Sequence, residues 1–190
     1  VTDAAHLFNP ETGEFSLPTG ADSMRNPRYD HIAVANSLGD VVMLGGWTYY
    51  DADNVFSATN TIEIFMAEEQ KFRRPTPQAT TLVGGAPYGA ATSIPTVGVL
   101  HCGGTTLLGS NTWQPVANCL LIHLDRSVSS IESLPVPLAH FSMVALSSTR
   151  VLVTGGISSD NPVSSYQGTD ATREAWIYDL ESLEWELVGN

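Results

Sequence analysis

The feature that most constrains the fold is a short apolar run that ends on two glycines and occurs three times. The three runs and their glycine doublets are Asp40–Leu44 with Gly45 and Gly46, Val97–Cys102 with Gly103 and Gly104, and Arg150–Thr154 with Gly155 and Gly156. The first glycines of successive doublets are 58 and 52 residues apart. Strand-like runs that recur at about 50 residues predict a chain built from repeated β-units.

Each unit reads as four short strands with one long connection after the doublet. The glycines permit positive φ and close approach of backbone segments, as a crowded centre of a radial array requires. Apolar and small residues at successive positions predict that the first two strands are buried on both faces, whereas the third and fourth alternate. No window shows a helical period. We therefore predict an all-β fold divided into 1–20 (the last hairpin of an incomplete unit), 21–77, 78–137 and 138–190.

The doublets and the aromatic residues that follow them resemble the kelch repeat. In that family a doublet ends the second strand, a Tyr follows it, and a Trp lies about six residues further on. These two places are occupied by Tyr178 and Trp185 in the third unit, by Phe65 and Phe72 in the first, and by His123 and Ile131 in the second. The resemblance implies a kelch-type β-propeller fragment with four-stranded antiparallel blades, three and a half in number.

Three and a half blades are too few to close a ring, because propellers contain roughly four to eight. We therefore expect that the ring is completed by further segments of a longer chain or by further copies of this one. The N-terminus, Val1, is not an initiating Met, which favours a longer parent chain.

The charge balance excludes some classes of partner. Twenty acidic residues against eight basic ones give a net charge of −12, which repels phosphate backbones and anionic lipids. No apolar run approaches the roughly 18 residues of a spanning helix. We predict no nucleic-acid partner and no membrane insertion.

The two cysteines, Cys102 and Cys119, fall on the predicted second and third strands of one unit. Residues opposite each other on antiparallel strands lie within disulfide range, so we predict a Cys102–Cys119 disulfide. The alternative is a pair of buried free thiols. Secreted kelch proteins often carry a Cys beside the doublet, so the resemblance favours the disulfide and an extracellular location.

The long connections carry the candidate partner-binding residues. In the first connection Trp47, Tyr49 and Tyr50 surround Asp51 and Asp53, and the equivalents in the other two are Trp113 and Tyr166. The three connections are expected on one face, where aromatic side chains favour a binding patch. The alternative is that they pack against their own blades. Asp51 and Asp53 could contact Ca²⁺, but a solvated acidic loop is the simpler interpretation, so we predict no metal site.

No constellation of catalytic residues is present, and the five histidines lie on different strands. We predict a non-enzymatic, extracellular module without a cofactor, which binds a protein or glycan partner or serves as a structural unit of a larger chain or assembly. The resemblance also leaves open a fragment of a secreted copper-radical oxidase of the galactose or glyoxal oxidase type, although the ligand motifs of those enzymes are not found.

Overall fold

The computed structural model describes residues 3–19, 23–50, 55–76, 82–109, 112–158 and 171–189. The chain is all-β, as predicted. Its described residues form three four-stranded antiparallel sheets and three two-stranded hairpins. A single 3-10 turn at Val83–Gly85 is the only helical element among them.

The strands follow one another along the chain in a repeated order. The N-terminal hairpin contains β1 (Leu7–Asn9) and β2 (Glu14–Ser16). The first sheet contains β3 (Ile32–Ala35), β4 (Val41–Leu44), β7 (Ile62–Met66) and β8 (Lys71–Arg73). The second contains β9 (Ala90–Ile94), β10 (Gly98–Cys102), β13 (Cys119–His123) and β14 (Val128–Ile131). The third contains β15 (Ser142–Ala145), β16 (Arg150–Thr154), β17 (Ala175–Asp179) and β18 (Glu184–Gly189).

Two further hairpins are inserted where the sequence predicted loops. The first inserted hairpin, β5 (Trp47–Tyr50) and β6 (Val55–Ala58), separates the second and third strands of the first sheet. The second inserted hairpin, β11 (Thr105–Gly109) and β12 (Thr112–Pro115), does the same in the second sheet. In the third sheet, Ile157 bridges to Ala171 at the equivalent place.

The sheets are stacked face to face, and each shares a cluster of buried residues with the next. Met43, Phe65 and Phe72 of the first sheet pack with Leu7 of the N-terminal hairpin. The opposite face of the first sheet packs against the second sheet, for example Ile64 near Ile122. The opposite face of the second sheet, in turn, packs against the third. The second sheet is therefore covered on both faces by other sheets.

The burial of the first strands differs from the prediction. β3 and β15 alternate between half-buried and exposed residues, and β9 is mostly half-buried. The reason is that each is the edge strand of its sheet, and these edge strands lie beside one another. The most buried strand described is β10 of the second sheet, and β7 and β13 each have four of their five residues buried.

The strand register locates the equivalent positions of the three sheets. The residue four places before each doublet pairs with Phe65 in the first sheet and with Tyr178 in the third. In the second sheet, Val99 pairs with Ile122, so the equivalent residue is Ile122 and not the predicted His123. Its neighbour on β14 is Val128 and not Ile131. The paired residues Ile122 and Val128 lie six residues apart, whereas the equivalent pairs of the other two sheets lie seven apart, so both positions predicted for the second unit were wrong.

Candidate functional site

The candidate site is the end of the sheets at which the glycine doublets lie. Each doublet adopts left-handed backbone angles, with φ of 59° and 91° at Gly45 and Gly46 and of 64° and 100° at the other two. The residue directly after each doublet forms a backbone hydrogen bond with the segment that precedes the first strand of the same sheet. Trp47, for example, bonds to Tyr29. The doublets therefore turn the chain out of the sheet and into the insertion.

Close approach explains why the second glycine of each doublet lacks a side chain. A Cβ on Gly46 would lie 2.6 Å from the Tyr29 carbonyl oxygen. A Cβ on Gly104 would lie 2.6 Å from the Ala86 carbonyl oxygen, and one on Gly156 would lie 2.8 Å from that of Ala139. All three distances are shorter than a non-bonded contact permits, so the base of each insertion is fixed against its own sheet.

The predicted aromatic residues are only partly brought together. Trp47 on β5 and Trp113 on β12 form an edge-to-face contact with ring centroids 4.9 Å apart. Trp47 is only 7% exposed, so it belongs to the packing between the two inserted hairpins rather than to a free patch. Tyr49 and Tyr50 lie on β5. Asp51, Asp53 and Tyr166 lie outside the described residues.

An exposed apolar surface that the sequence did not predict lies on the second inserted hairpin. Leu107 and Leu108 on β11 are exposed, and so is Val83 in the neighbouring 3-10 turn. Leu107 pairs with Trp113, which is half-buried. The signal was available, because Thr105–Leu108 and Thr112–Gln114 are β-prone runs on either side of a glycine. We name Val83, Leu107, Leu108 and Trp113 the hairpin patch.

A polar cleft of about 480 Å³ opens at the base of the first inserted hairpin. Its walls come from the segment before β3, from β5, from the end of β6 and from the residues that join β6 to β7. The lining residues are Arg25, Asn26, Pro27, Thr48, Ser57, Ala58, Thr59, Asn60 and Thr61. Hydroxyl and amide groups predominate, together with one guanidinium.

A buried ion pair supports this cleft from below. Arg28 donates from Nη2 to Glu63 Oε1 at 2.6 Å, and both side chains are essentially inaccessible to solvent. The same guanidinium donates to the carbonyl oxygens of Gly45 and Thr61, and Glu63 accepts from the backbone N–H groups of Arg25 and Asn26. Burial lowers the pKa of Arg28, and the charge of Glu63 opposes that shift. The segment from Met24 to Arg28 covers the face of β7 that carries Glu63.

His101 is the most perturbed titratable group of the region. It is fully buried on β10, and burial lowers its pKa to about 4. Its Nε2 has no hydrogen-bond partner among the described residues, and Gly89 lies against it. The imidazole is therefore neutral at physiological pH. It faces away from Cys102, because successive residues of a strand point to opposite faces.

Three titratable side chains lie near the first strands. Burial lowers the pKa of His31 and that of His140, and burial together with Asp30 raises the pKa of Tyr29. The ring of His140 stacks on Tyr88 with centroids 4.3 Å apart. The two stacked rings form part of a packed aromatic surface before the third sheet.

The predicted disulfide is confirmed. Cys102 and Cys119 are register partners on β10 and β13, with Cα atoms 4.1 Å apart and sulfurs bonded at 2.03 Å. The next pair, Gly103 and Asn118, exchanges a backbone hydrogen bond, so the cysteines occupy a close, non-hydrogen-bonded position. Both are buried, and no free cysteine remains.

Within the described ranges no three His, Cys, Asp or Glu side chains come together as ligands for a metal ion. The same ranges contain no helix long and apolar enough to cross a membrane. Together, the fold and the site define an all-β protein of stacked four-stranded sheets with hairpins inserted at one end. No family model matches the chain, and no curated protein matches it.

Proposed function

We propose that the chain is a partial kelch-type β-propeller that acts as a non-enzymatic, extracellular module for binding a protein or glycan, within a larger chain or assembly. The stacking of equivalent sheets, with β3, β9 and β15 side by side, supports the propeller. A propeller requires four-stranded sheets that are arranged radially, with their first strands next to one another at the centre.

The observation that carries the binding role is the pair of inserted hairpins joined through Trp47 and Trp113. This contact joins the two inserted hairpins into one surface. The other residues of the hairpin patch lie next to Trp113. Exposed leucines around a half-buried Trp form the kind of anchor that protein interfaces use. The polar cleft at the base of the first hairpin adds hydrogen-bonding groups suited to a hydroxylated ligand.

The oxidase alternative is less favoured because of the disulfide. A copper-radical oxidase of that type carries a Tyr–Cys crosslink, and both cysteines of this chain are bonded to each other. Copper analysis of the purified protein tests this alternative. Stoichiometric copper together with a Tyr–Cys crosslink would support the oxidase and overturn the non-enzymatic proposal.

The disulfide also supports the proposed extracellular location. A buried disulfide persists in an oxidising environment, so it favours an extracellular or otherwise oxidising location. The acidic charge is compatible with that location and unsuited to nucleic acid.

Binding is tested on arrays of extracellular protein domains and of glycans, with the disulfide-bonded chain as the probe. The variant Leu107→Ser/Leu108→Ser removes the hairpin patch. The matched control, Leu38→Ser/Leu183→Ser, removes two leucines that are more exposed than Leu107 and Leu108 and lie in turns at the other end of the sheets. We expect identified partners to lose at least about tenfold in affinity with the patch variant and to bind the control normally. Failure to bind any array member, or equal loss in both variants, would contradict the proposal.

A further inference from the structure

We propose that the base of the second inserted hairpin holds one water molecule, bound between the imidazole of His101 and the carbonyl oxygen of Gly103. The inference goes beyond the binding role above and does not depend on it. It rests on a comparison of equivalent positions in the three sheets, which the chain fills with different chemistry.

Three positions are equivalent in the three sheets. The first lies two residues before the first glycine of the doublet, and the second is its register partner on the third strand. In the first, second and third sheets these pairs are Met43 with Glu63, His101 with Leu120, and Val153 with Trp176. The third position comes just before the residue whose carbonyl oxygen accepts from the residue after the doublet, and it is Arg28, Ala86 and Leu138 in turn.

In the first sheet a charged pair fills these positions. Arg28 donates from Nη2 to Glu63 and from Nη1 to the carbonyl oxygen of Gly45, at 2.6 Å and 3.0 Å. Gly45 is the first glycine of its doublet. The guanidinium therefore satisfies the carbonyl group at which the chain leaves the sheet.

In the third sheet the same positions are largely apolar. Leu138 and Val153 are buried, and the indole N–H of Trp176 donates to Glu174. None of these three side chains has an unpaired polar atom.

The second sheet fills the equivalent place incompletely. Ala86 stands where the first sheet has the guanidinium, and a methyl group cannot fill that space, while Leu120 replaces the carboxylate. A cavity of about 10 Å³ remains, and it is lined by Ala86, Leu120, His101 and Gly103 among others. This is about the smallest volume that holds a water molecule, and it is too small for an organic ligand.

Two polar groups border this cavity, and both need a partner. His101 is buried, and its Nε2 has no hydrogen-bond partner among the described residues. No backbone N–H of those residues donates to the carbonyl oxygen of Gly103, whose counterpart in the first sheet accepts from the guanidinium. Buried polar groups are ordinarily paired, because an unpaired one loses its hydration without compensation.

These two groups are close enough to share one water molecule. A Cβ on Gly89 would lie 2.7 Å from His101 Nε2 and 3.0 Å from the Gly103 carbonyl oxygen, so both atoms lie near a single point. A water molecule that bonds to both needs about 2.8–3.0 Å to each. Asn118 also lines the cavity and adds a third polar residue, and buried waters typically make about three hydrogen bonds.

The surroundings favour water over an ion. The described side chains that line the cavity include no carboxylate, lysine or arginine, so an ion would be buried without an opposite charge. Burial lowers the pKa of His101 to about 4, which leaves the imidazole neutral. A neutral imidazole has one donor and one acceptor nitrogen, and a water molecule can pair with either.

The site lies where the chain enters the second inserted hairpin. Gly103 and Gly104 lead directly into β11, which carries Leu107 and Leu108 of the hairpin patch. The water molecule links the end of β10 to this turn, as the guanidinium does at the first inserted hairpin. The two hairpins are thus anchored by different chemistry, a charged pair in one and a neutral imidazole with water in the other.

The test detects the water molecule in the disulfide-bonded chain by NMR. The Hδ2 and Hε1 protons of the His101 imidazole flank Nε2 and are bound to carbon, so a cross-peak between them and water reports a bound molecule rather than proton exchange. A long-lived water molecule gives NOESY and ROESY cross-peaks of opposite sign. Oxygen-17 relaxation dispersion then counts the long-lived water molecules of the whole chain.

Two variants locate the site. His101→Met introduces the residue type that the first sheet has at position 43 and removes the polar atom, and an apolar cavity of this size stays dry. His123→Met is the matched control, because it replaces a half-buried histidine of the same sheet that bonds to Ser129 instead. Thermal unfolding establishes that each variant is folded.

We expect the wild-type chain and the control to show the His101 or equivalent water cross-peaks, and His101→Met to contain one long-lived water molecule fewer than the wild type. A wild-type chain without these cross-peaks would overturn the proposal, and this spectrum decides alone if His101→Met does not fold. An unchanged number of long-lived waters in folded His101→Met, or loss of the His101 cross-peaks in the control, would also overturn it. The array measurement of partner binding does not depend on this water molecule, so the two proposals can fail separately.

Discussion

The second and third sheets have the same topology and nearly the same strand lengths, yet their burial differs. Leu100 and Leu121 of the second sheet are buried, whereas the register-equivalent Leu152 and Ile177 of the third lie on a half-exposed face. The second sheet has a neighbour on each side, and the third has one among the described residues. Burial in this molecule is therefore set by how many sheets flank a given sheet, more than by the residues of its strands.

The largest difference is expected when equivalent leucines of the two sheets are truncated. Leu100→Ala removes a fully buried side chain and should lower the free energy of unfolding by roughly 2–5 kcal/mol. Leu152→Ala removes a half-buried side chain and should cost less than about 1 kcal/mol in the monomer. Urea denaturation of both variants measures the difference. Equal losses of unfolding free energy in the two variants would contradict the difference in burial between the two sheets.

The disulfide, which belongs to the second sheet alone, should contribute somewhat less. Cys102→Ala/Cys119→Ala releases a loop with a sequence separation of 17 residues and should lower the free energy of unfolding by roughly 3 kcal/mol. Denaturation of the oxidised, reduced and variant chains measures it, with the reduced wild type as control for the lost side chains. A reduced chain as stable as the oxidised one would contradict this expectation.

His101 should make the second sheet sensitive to acid. The unfolded chain binds a proton on this imidazole near its ordinary pKa of 6.5, and the folded chain only near a pKa of about 4. Stability is therefore fully present above the higher value and is lost as the pH falls, by at most about 3 kcal/mol near the lower one. His101→Gln should remove that part of the loss. Identical pH profiles of unfolding for the wild type and the variant would show that the burial of His101 is wrong.

A small difference is expected between equivalent glycines of the second and third sheets. Gly155→Ala strains a left-handed residue, but among the described residues its Cβ would meet only the Thr172 carbonyl oxygen, so it should cost about 1–2 kcal/mol. Gly103→Ala meets the Leu138 carbonyl oxygen and the Phe141 ring as well, and should cost more. Thermal unfolding ranks the two variants. A larger loss at Gly155 would mean that this end of the sheet is covered.

Much of the fold could be predicted because glycine doublets and apolar runs are local signals. They located β4, β10 and β16, and strand pairing then placed Cys102 opposite Cys119. The inserted hairpins were missed although their signal was present. Trp47–Tyr50 and Val55–Ala58 are β-prone runs on either side of a short polar sequence, and length alone had suggested a loop.

Other parts of the site depend on contacts that no local pattern carries. Arg28 and Glu63 meet across 35 residues, and a carboxylate within an alternating strand ordinarily points to solvent. The burial of Trp47 by Trp113 depends on how two sheets stack. The equivalent position in the second sheet is Ile122 and not His123, which only the pairing of β10 with β13 reveals.

The most direct test of the central claim is hydroxyl-radical footprinting of the phenylalanines, read by mass spectrometry on the chain at a dilution at which it is monomeric. Phe8 and Phe15 occupy the same positions as Phe65 and Phe72 and have the same chemistry, so only burial should separate their rates. We expect Phe8 and Phe15 to be oxidised many times faster than Phe65 and Phe72. Equal oxidation of the two pairs in the monomer would contradict the stacked order of the sheets.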